Sequence, residues 1–515
     1  MRQLTSLDAQ FLAMESSRTY GHVGALALFD PSTAPGGVVS SDDLKRVIDR
    51  RIDQLPPFRR RLVEVPLGID HPYWVDDPDF DLDFHVRDTA VPPPGDDRRL
   101  ADTVARIFAR PLDRTRPLWE LYLIHGIEGG KVGLLTKVHH AAVDGVSGAE
   151  ILGVLFDLQP DVGPDDGQGT GGEWRSERLP SQLEMLGRGL LGLPRQPLRA
   201  LGSLPSALPA LPNFPGAALV PGVPSLQRLR GRGRGEQDPL VDVRASRAPK
   251  TRFNRRISAH RRFAFASLPL EDIKALKNEL GIKVNDVVVA LCATAVRDWL
   301  DERGELPDEP LVALVPASVR TDEERGTFGN KVTGMILPIP TDVADPRERL
   351  MRAHEILVRA KDQQKGLPAS LMTDVSNFLP PALFTRASRL ALEVTGRLWP
   401  ALNLVVSNVP GPPVPLYCAG AKMLGHYPVS VITDGVGLNI TVMSYLDKID
   451  VGIVADRDAI DDAWTMMDSM EQALDELMVV VCGRHSTSRE RSESRRSATN
   501  GKDERRSSLQ GSPSL

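Results

Sequence analysis

The residues with the clearest capacity for chemistry are Lys137-Val138-His139-His140-Ala141-Ala142-Val143-Asp144-Gly145. Imidazole, with an unperturbed pKa of about 6.5, can take a proton from a hydroxyl near neutral pH and return it later. Such a group suits acyl transfer onto an alcohol. An apolar run at 132–135 precedes the histidines and residues 146–158 read as a helix, so the pair sits on a strand-to-helix turn. Successive side chains of an extended segment point to opposite faces, so only one of His139 and His140 can face a given cleft. One is a candidate base and the other a candidate brace. Gly145 can adopt a positive φ to turn the chain, and Asp144 can hold that turn through hydrogen bonds or an arginine partner. A zinc hydrolase could also use two histidines and an aspartate, but adjacent histidines point apart and no His-Glu-x-x-His helix is present. The sequence also has no Gly-x-Ser-x-Gly elbow.

Further strings accompany the H-H-x-x-x-D-G motif. Arg116-Pro117-Leu118-Trp119-Glu120 lies upstream and Leu4-Thr5-Ser6-Leu7-Asp8-Ala9-Gln10-Phe11-Leu12 opens the chain. Val284-Asn285-Asp286-Val287 falls in the middle and Ser407-Asn408-Val409-Pro410-Gly411-Pro412 late. In this order, across about residues 4–480, they resemble the bacterial wax ester synthase/acyl-CoA:diacylglycerol acyltransferase family. That family lies within the CoA-dependent acyltransferases that include chloramphenicol acetyltransferase and peptide-synthetase condensation domains. The resemblance implies an α/β (α+β) fold of two chloramphenicol acetyltransferase-like halves, each a mixed sheet flanked by helices, with the active site in the cleft between them. It implies His140 as general base, His139 as cleft support, Asp144 as structural and Gly145 as the turn. It places Asn285 and Asp286 near the cleft as supporting residues, with Asn285 a candidate oxyanion donor. The implied substrates are long-chain acyl-CoA, as co-substrate, and diacylglycerol or a long-chain alcohol. A thioester is already activated, so no further cofactor, metal or nucleophilic serine is called for. Arg-, Asp- and Val-rich usage is similar to that of high-GC actinobacterial relatives that commonly make triacylglycerol, which ranks diacylglycerol ahead of the alcohol that would give a wax ester. A non-catalytic lipid-binding or droplet-coating protein is the competing reading, and turnover of acyl-CoA discriminates it.

At 515 residues the chain exceeds what one core can organise, because single cores stop growing near roughly 250 to 300 residues. Hydrophobic residues at 41% and charged residues at 25% are globular proportions, and 63 basic against 68 acidic side chains leave a net charge of -5, which offers nothing to nucleic acid. Cys292, Cys418 and Cys482 are far apart, so neither a disulfide framework nor a metal-binding spacing is expected and a reducing cytoplasm fits. No run reaches the roughly 18 apolar residues of a membrane span, so membrane contact, on a lipid droplet or the inner membrane, would be peripheral.

Composition divides the chain into a first half at 1–158, a Pro/Gly/Leu/Arg-rich crossover at 159–250, a second half at 251–482 and a Ser/Arg-rich disordered tail at 483–515. Strands are expected at 22–29, 117–124, 261–266, 311–315, 333–339, 402–407, 429–432, 437–445 and 448–455, with further strands between 71 and 87. Helices are expected at 42–54, 98–109, 270–279, 284–299, 348–366 and 458–481. Broken apolar segments at 183–211 suggest an interfacial helix, or packing across the halves, and 371–398 suggests the wall of an acyl tunnel. His22, His426 and Trp119 read as structural. Arg59, Arg60 and Arg61 suit either CoA phosphates or local ion pairs. Asn285, taken alone, reads as a helix N-cap.

Overall fold

The computed structural model describes residues 1–143, 152–153, 155–160, 178–192, 248–318, 332–364 and 402–487. In chain order the first strands are β1 (Arg2–Gln3), β2 (His22–Asp30), β3 (Arg60–Val63), β4 (Tyr73–Asp76), β5 (Val86–Ala90), β6 (Trp119–His125) and β7 (Val132–His139). The second half adds β8 (Arg261–Pro269), β9 (Leu311–Ser318), β10 (Val332–Ile339), β11 (Leu404–Val409), β12 (Tyr417–Cys418), β13 (Ala421–Val429), β14 (Leu438–Tyr445) and β15 (Lys448–Asp456).

Two six-stranded sheets dominate. The first has the order β12-β13-β2-β7-β6-β5 and the second β10-β9-β11-β14-β15-β8, with β1, β4 and β3 forming a small separate sheet. Both large sheets are mixed, since β5 and β6 run parallel in the first, as do β9, β11 and β14 in the second. Two halves, each with a mixed sheet, match the expectation. The helix Val284–Asp301 covers the second sheet and is apolar almost all round, as a helix enclosed by neighbours should be. The helix Trp464–Cys482 packs beside it in the same core cluster.

The first sheet corrects the sequence expectation of a strand at 429–432 closing the second half. The strand is β13, and it pairs antiparallel with β2, Tyr427 opposite Leu26 and His426 opposite Ala27. The second half therefore completes the sheet of the first. The physical reason is the edge of β2, where Leu26 and Leu28 are buried and the backbone needs a partner. Where β13 and β15 meet, the sheets also touch directly. Asp450 of β15 accepts hydrogen bonds from the His426 amide and the Ser267 hydroxyl, both at 2.6 Å. A Cβ on Gly452 would fall 1.8 Å from the Pro428 carbonyl oxygen. Around this crossing a mixed cluster draws Leu26, Phe108 and Tyr122 from one half and Phe263, Phe265 and Val454 from the other.

Smaller differences have local causes. The helix expected at 42–54 begins earlier, as Ser41–Arg51, because Ser40 caps it through reciprocal bonds with Asp43. Between 71 and 87 the alternation yields only β4 and the start of β5, because Asp81 accepts from the Asp83 amide and nucleates the short helix Leu82–His85. In the crossover, the helix Gln182–Gly192 buries Met185 and leaves Leu183, Leu190 and Leu191 exposed. Beyond residue 192 that interfacial expectation, like the tunnel wall at 371–398, lies outside the described residues.

The tail does not begin at 483. Ser486 is fully buried and its hydroxyl donates to Asp272 at 3.0 Å, while the Thr487 amide and hydroxyl donate to the same oxygen at 2.8 and 2.9 Å. The Ser486 amide also donates to Asp475 at 2.8 Å. Truncation after Gly483 would strand the buried Asp272 carboxylate. Leaving a buried acceptor without its donors costs about 1 to 3 kcal/mol, so the truncated protein is expected to melt several degrees lower, read by differential scanning fluorimetry. Truncation after Thr487 serves as the control, and equal melting of the two would show that the docked residues contribute nothing.

Candidate active site

β7 is a central strand buried at every position, and it ends on His139. Its sixth residue, Lys137, is fully buried, with its ammonium 2.7 Å from the Arg110 carbonyl and 3.4 Å from Glu120, and burial pushes its pKa below the ordinary lysine range. The strand is thus held from below by a paired charge. His139 lies opposite His22 of β2 and is 1% exposed. Its Nδ1 accepts the Ala141 amide at 3.1 Å, which closes the turn into the short helix His140–Val143. The His140 amide donates to the Gly21 carbonyl at 2.8 Å, and its half-buried ring stacks on Phe11 with centroids 3.9 Å apart and planes 15° apart. The two imidazoles therefore have different surroundings, His139 braced inside and His140 at the partly open side.

The brace extends to residues that sequence reading missed. Glu15, the C-cap of the helix Ser6–Met14, places Oε1 3.1 Å from His139 Nε2 and 2.7 Å from the Gly21 amide. Its other oxygen accepts Arg114 Nη2 and Nε at 2.7 and 3.2 Å, while Arg114 also donates to the Leu12 carbonyl at the helix end. Burial opposes ionisation of Glu15, but His139, the Gly21 amide and Arg114 together outweigh it and hold the carboxyl at about 2. Gly21 must be glycine, because a Cβ there would sit 2.6 Å from His139 Nε2. The sequence did carry a signal for Phe11, which lies inside the opening motif, but none for Glu15 or Arg114, which are 99 residues apart.

Asp144 and Gly145 lie outside the described residues. Asn285 is not the N-cap: the helix Val284–Asp301 begins one residue earlier, and the Asp286 carboxylate takes the Lys283 amide at 3.0 Å. Asn285 Oδ1 instead accepts Asn408 Nδ2 at 3.1 Å, which joins the middle and late motifs and leaves the Asn285 amide group as a donor. Asp286 is 1% exposed and accepts His354 Nδ1 at 2.6 Å. Asn285 and Asp286 belong to the second half's helix and sheet. Gly411 follows because its Cβ would meet the Ser444 carbonyl oxygen at 2.0 Å.

The remaining candidates are structural. His22 bonds the Phe108 carbonyl at 2.8 Å, and burial, then the Lys137 charge, hold its pKa well below 6.5. Burial lowers that of His426 to about 4. Trp119 is stacked between Phe58 and His85 and donates to the Phe58 carbonyl at 2.8 Å. The three arginines pair locally, Arg59 with Asp53, Arg60 with Asp76 and Arg61 with Asp77, so the CoA-phosphate reading gives way to the local one.

Comparison with known proteins follows the same lines. The wax ester synthase/diacylglycerol acyltransferase catalytic domain matches residues 4–288, and the WS/DGAT C-terminal domain matches residues 328–478. A Mycobacterium tuberculosis protein whose name reads "Putative diacyglycerol O-acyltransferase" is 37% identical over 480 residues, covering 93% of this chain and 90% of the relative. The solved wax ester synthase/diacylglycerol acyltransferase from Marinobacter aquaeolei VT8 superposes with a TM-score of 0.63 at 30% identity, over 93% of this chain and 99% of that one. The first condensation domain of the calcium-dependent antibiotic synthetase, at 16% identity and a TM-score of 0.53 over 92% and 96% of the two chains, shares the fold.

Proposed function

The chain belongs to the wax ester synthase/diacylglycerol acyltransferase family of acyl-CoA-dependent O-acyltransferases, and from that premise we propose that His140 is the base that activates the acceptor hydroxyl. The observation that carries this reading is the division of labour at the turn. His139 has its Nδ1 committed to Ala141 and its Nε2 beside Glu15, whereas His140 lies half-buried against Phe11.

In the proposed reaction the diacylglycerol hydroxyl oxygen attacks the thioester carbon of acyl-CoA as His140 takes the hydroxyl proton. The tetrahedral oxyanion collapses, the carbon–sulfur bond breaks, and the departing CoA thiolate recovers the proton from His140. Products are triacylglycerol and free CoA. The thioester supplies the activation, so neither metal nor cofactor enters the step. Asn285, with its oxygen held by Asn408, is the proposed donor near the oxyanion, Asp286 is proposed to support it, and Asp144 and Gly145 are proposed as the structural and turn residues of the motif.

The substrates are long and apolar, and we propose that the protein meets them at a lipid surface. Leu183, Leu190 and Leu191 are exposed on one helix, and that helix packs against the turn Pro66–Gly68, where Leu67 is exposed at 85%. Among the described residues no helix is long and apolar enough to cross a membrane.

The test is radiolabelled palmitoyl-CoA offered to the purified protein with diacylglycerol in vesicles or with hexadecanol. Labelled triacylglycerol is the expected product. Wax ester from hexadecanol alone would instead favour the alcohol, the reading to which the Marinobacter relative's name gives equal place. No ester with either acceptor, despite acyl-CoA binding, would overturn the assignment. In the same assay Leu190→Ser with Leu191→Ser should raise the apparent KM for vesicle-borne diacylglycerol, and an unchanged KM would reject the lipid-surface contact.

A further inference from the structure

We propose that Glu15 is a positioning residue for the transfer: its carboxylate fixes the tautomer of His139 and, by two routes, the direction of the His140 imidazole. The proposal rests on the reading of His140 as base, and adds what aims it.

The first route runs through the ring of His139. Its Nδ1 accepts the Ala141 amide at 3.1 Å, and a neutral imidazole that accepts at Nδ1 carries its hydrogen on Nε2. Glu15 Oε1 lies 3.1 Å from that Nε2 and stabilises this tautomer. The second route runs through a peptide. Glu15 takes the Gly21 amide at 2.7 Å, and the Gly21 carbonyl takes the His140 amide at 2.8 Å. The two routes reach the backbone on either side of the His140 Cα. The same short helix carries Phe11, the ring on which His140 stacks, and Arg114 binds both its terminal carbonyl at Leu12 and the far oxygen of Glu15. One carboxylate thus gathers the helix end, the brace and the base into a single arrangement. It stays ionised throughout any working pH, because its pKa is held at about 2.

Glu15→Gln keeps the shape and removes one acceptor. Both oxygens of Glu15 receive N–H donors, whereas glutamine has a single oxygen. The charged Arg114 makes the stronger claim on it. The new NH2 group then faces Gly21 N–H and His139 Nε2, so His139 is driven to the tautomer with its hydrogen on Nδ1, which opposes the Ala141 amide.

The experiment uses full-length protein labelled with 15N at histidine, with His139→Gln assigning the resonance. Long-range 1H–15N spectra are expected to show the Nε2–H tautomer of His139 in the wild type and the Nδ1–H tautomer in Glu15→Gln. With it, kcat should fall about 100-fold, as for a small misplacement of a reacting group, while KM for palmitoyl-CoA stays within about twofold. Glu15→Asp, which keeps the charge, should retain the Nε2–H tautomer and recover part of kcat. An unchanged tautomer in Glu15→Gln, or a switched tautomer with full kcat, overturns the proposal. Because the tautomer is read without turnover, a switch in Glu15→Gln combined with normal turnover by His140→Ala would remove the base reading while leaving the link from Glu15 to His139 in place.

Discussion

His140→Ala is expected to lower turnover of palmitoyl-CoA by about 10²- to 10⁴-fold, the range in which a positioned proton acceptor contributes to a rate. The loss should fall on kcat, since in the proposed reaction the imidazole acts on the hydroxyl proton in the transition state and leaves the thioester to be bound by other parts of the cleft. Stability should change little. The ring is half-buried and stacks on Phe11, so its removal forfeits a stacked pair worth about 0.5 to 1.5 kcal/mol. The backbone bond from His140 to Gly21 survives the substitution. His139→Ala should behave differently, because it empties a buried site and deletes the acceptor for the Ala141 amide, so activity and melting temperature should fall together. Radiometric turnover with melting curves on the two variants separates the roles. Ordinary turnover by His140→Ala would sink the assignment of the base.

Gly452→Ala should be among the most damaging single-methyl additions in the chain. The added carbon would lie 1.8 Å from the Pro428 carbonyl oxygen and 2.9 Å from its carbon. Neither side can give way locally. Gly452 is in register with Thr441 of β14 on one side and Phe265 of β8 on the other, and Pro428 is in register with Ala25 of β2. The two sheets would have to separate. Overpacking a well-ordered core costs typically about 1 to 3 kcal/mol, and backbone against backbone belongs at the upper end. Because the crossing joins the halves, acyl transfer should be lost along with the stability. Urea unfolding reads the first and the radiometric assay the second; a midpoint unchanged from wild type would show that the sheets can part without cost.

The extent to which this arrangement was legible in the sequence follows from what periodicity encodes. Strands β2, β6 and β7 and the helices Asp97–Phe108 and Val284–Asp301 announce themselves because each has a long apolar face or is apolar throughout. Pattern says which face is buried but not which strand lies alongside, so the transfer of β13 into the first sheet is not legible from periodicity. The site divides in the same way. His139 and His140 stand out by residue type, whereas Glu15 follows an apolar stretch and reads as an ordinary surface acid until Arg114 is brought beside it. Asn285 looks like a cap for the same reason, since the competing partner, Asn408, is 123 residues away.

The exchanged strand also bears on how the protein can be made. The edge of β2 opposite β7 is satisfied by β13, roughly 400 residues later. At about 5 to 20 residues per second, a ribosome exposes that edge for on the order of 20 to 80 s before its partner is synthesised. A bare edge is a template for pairing with another chain, so a nascent chain of this kind leans on chaperones or on speed of elongation. By the same reasoning His139 and His140 cannot be excised with their own half, because a fragment that stops short of β13 presents β2 unpaired.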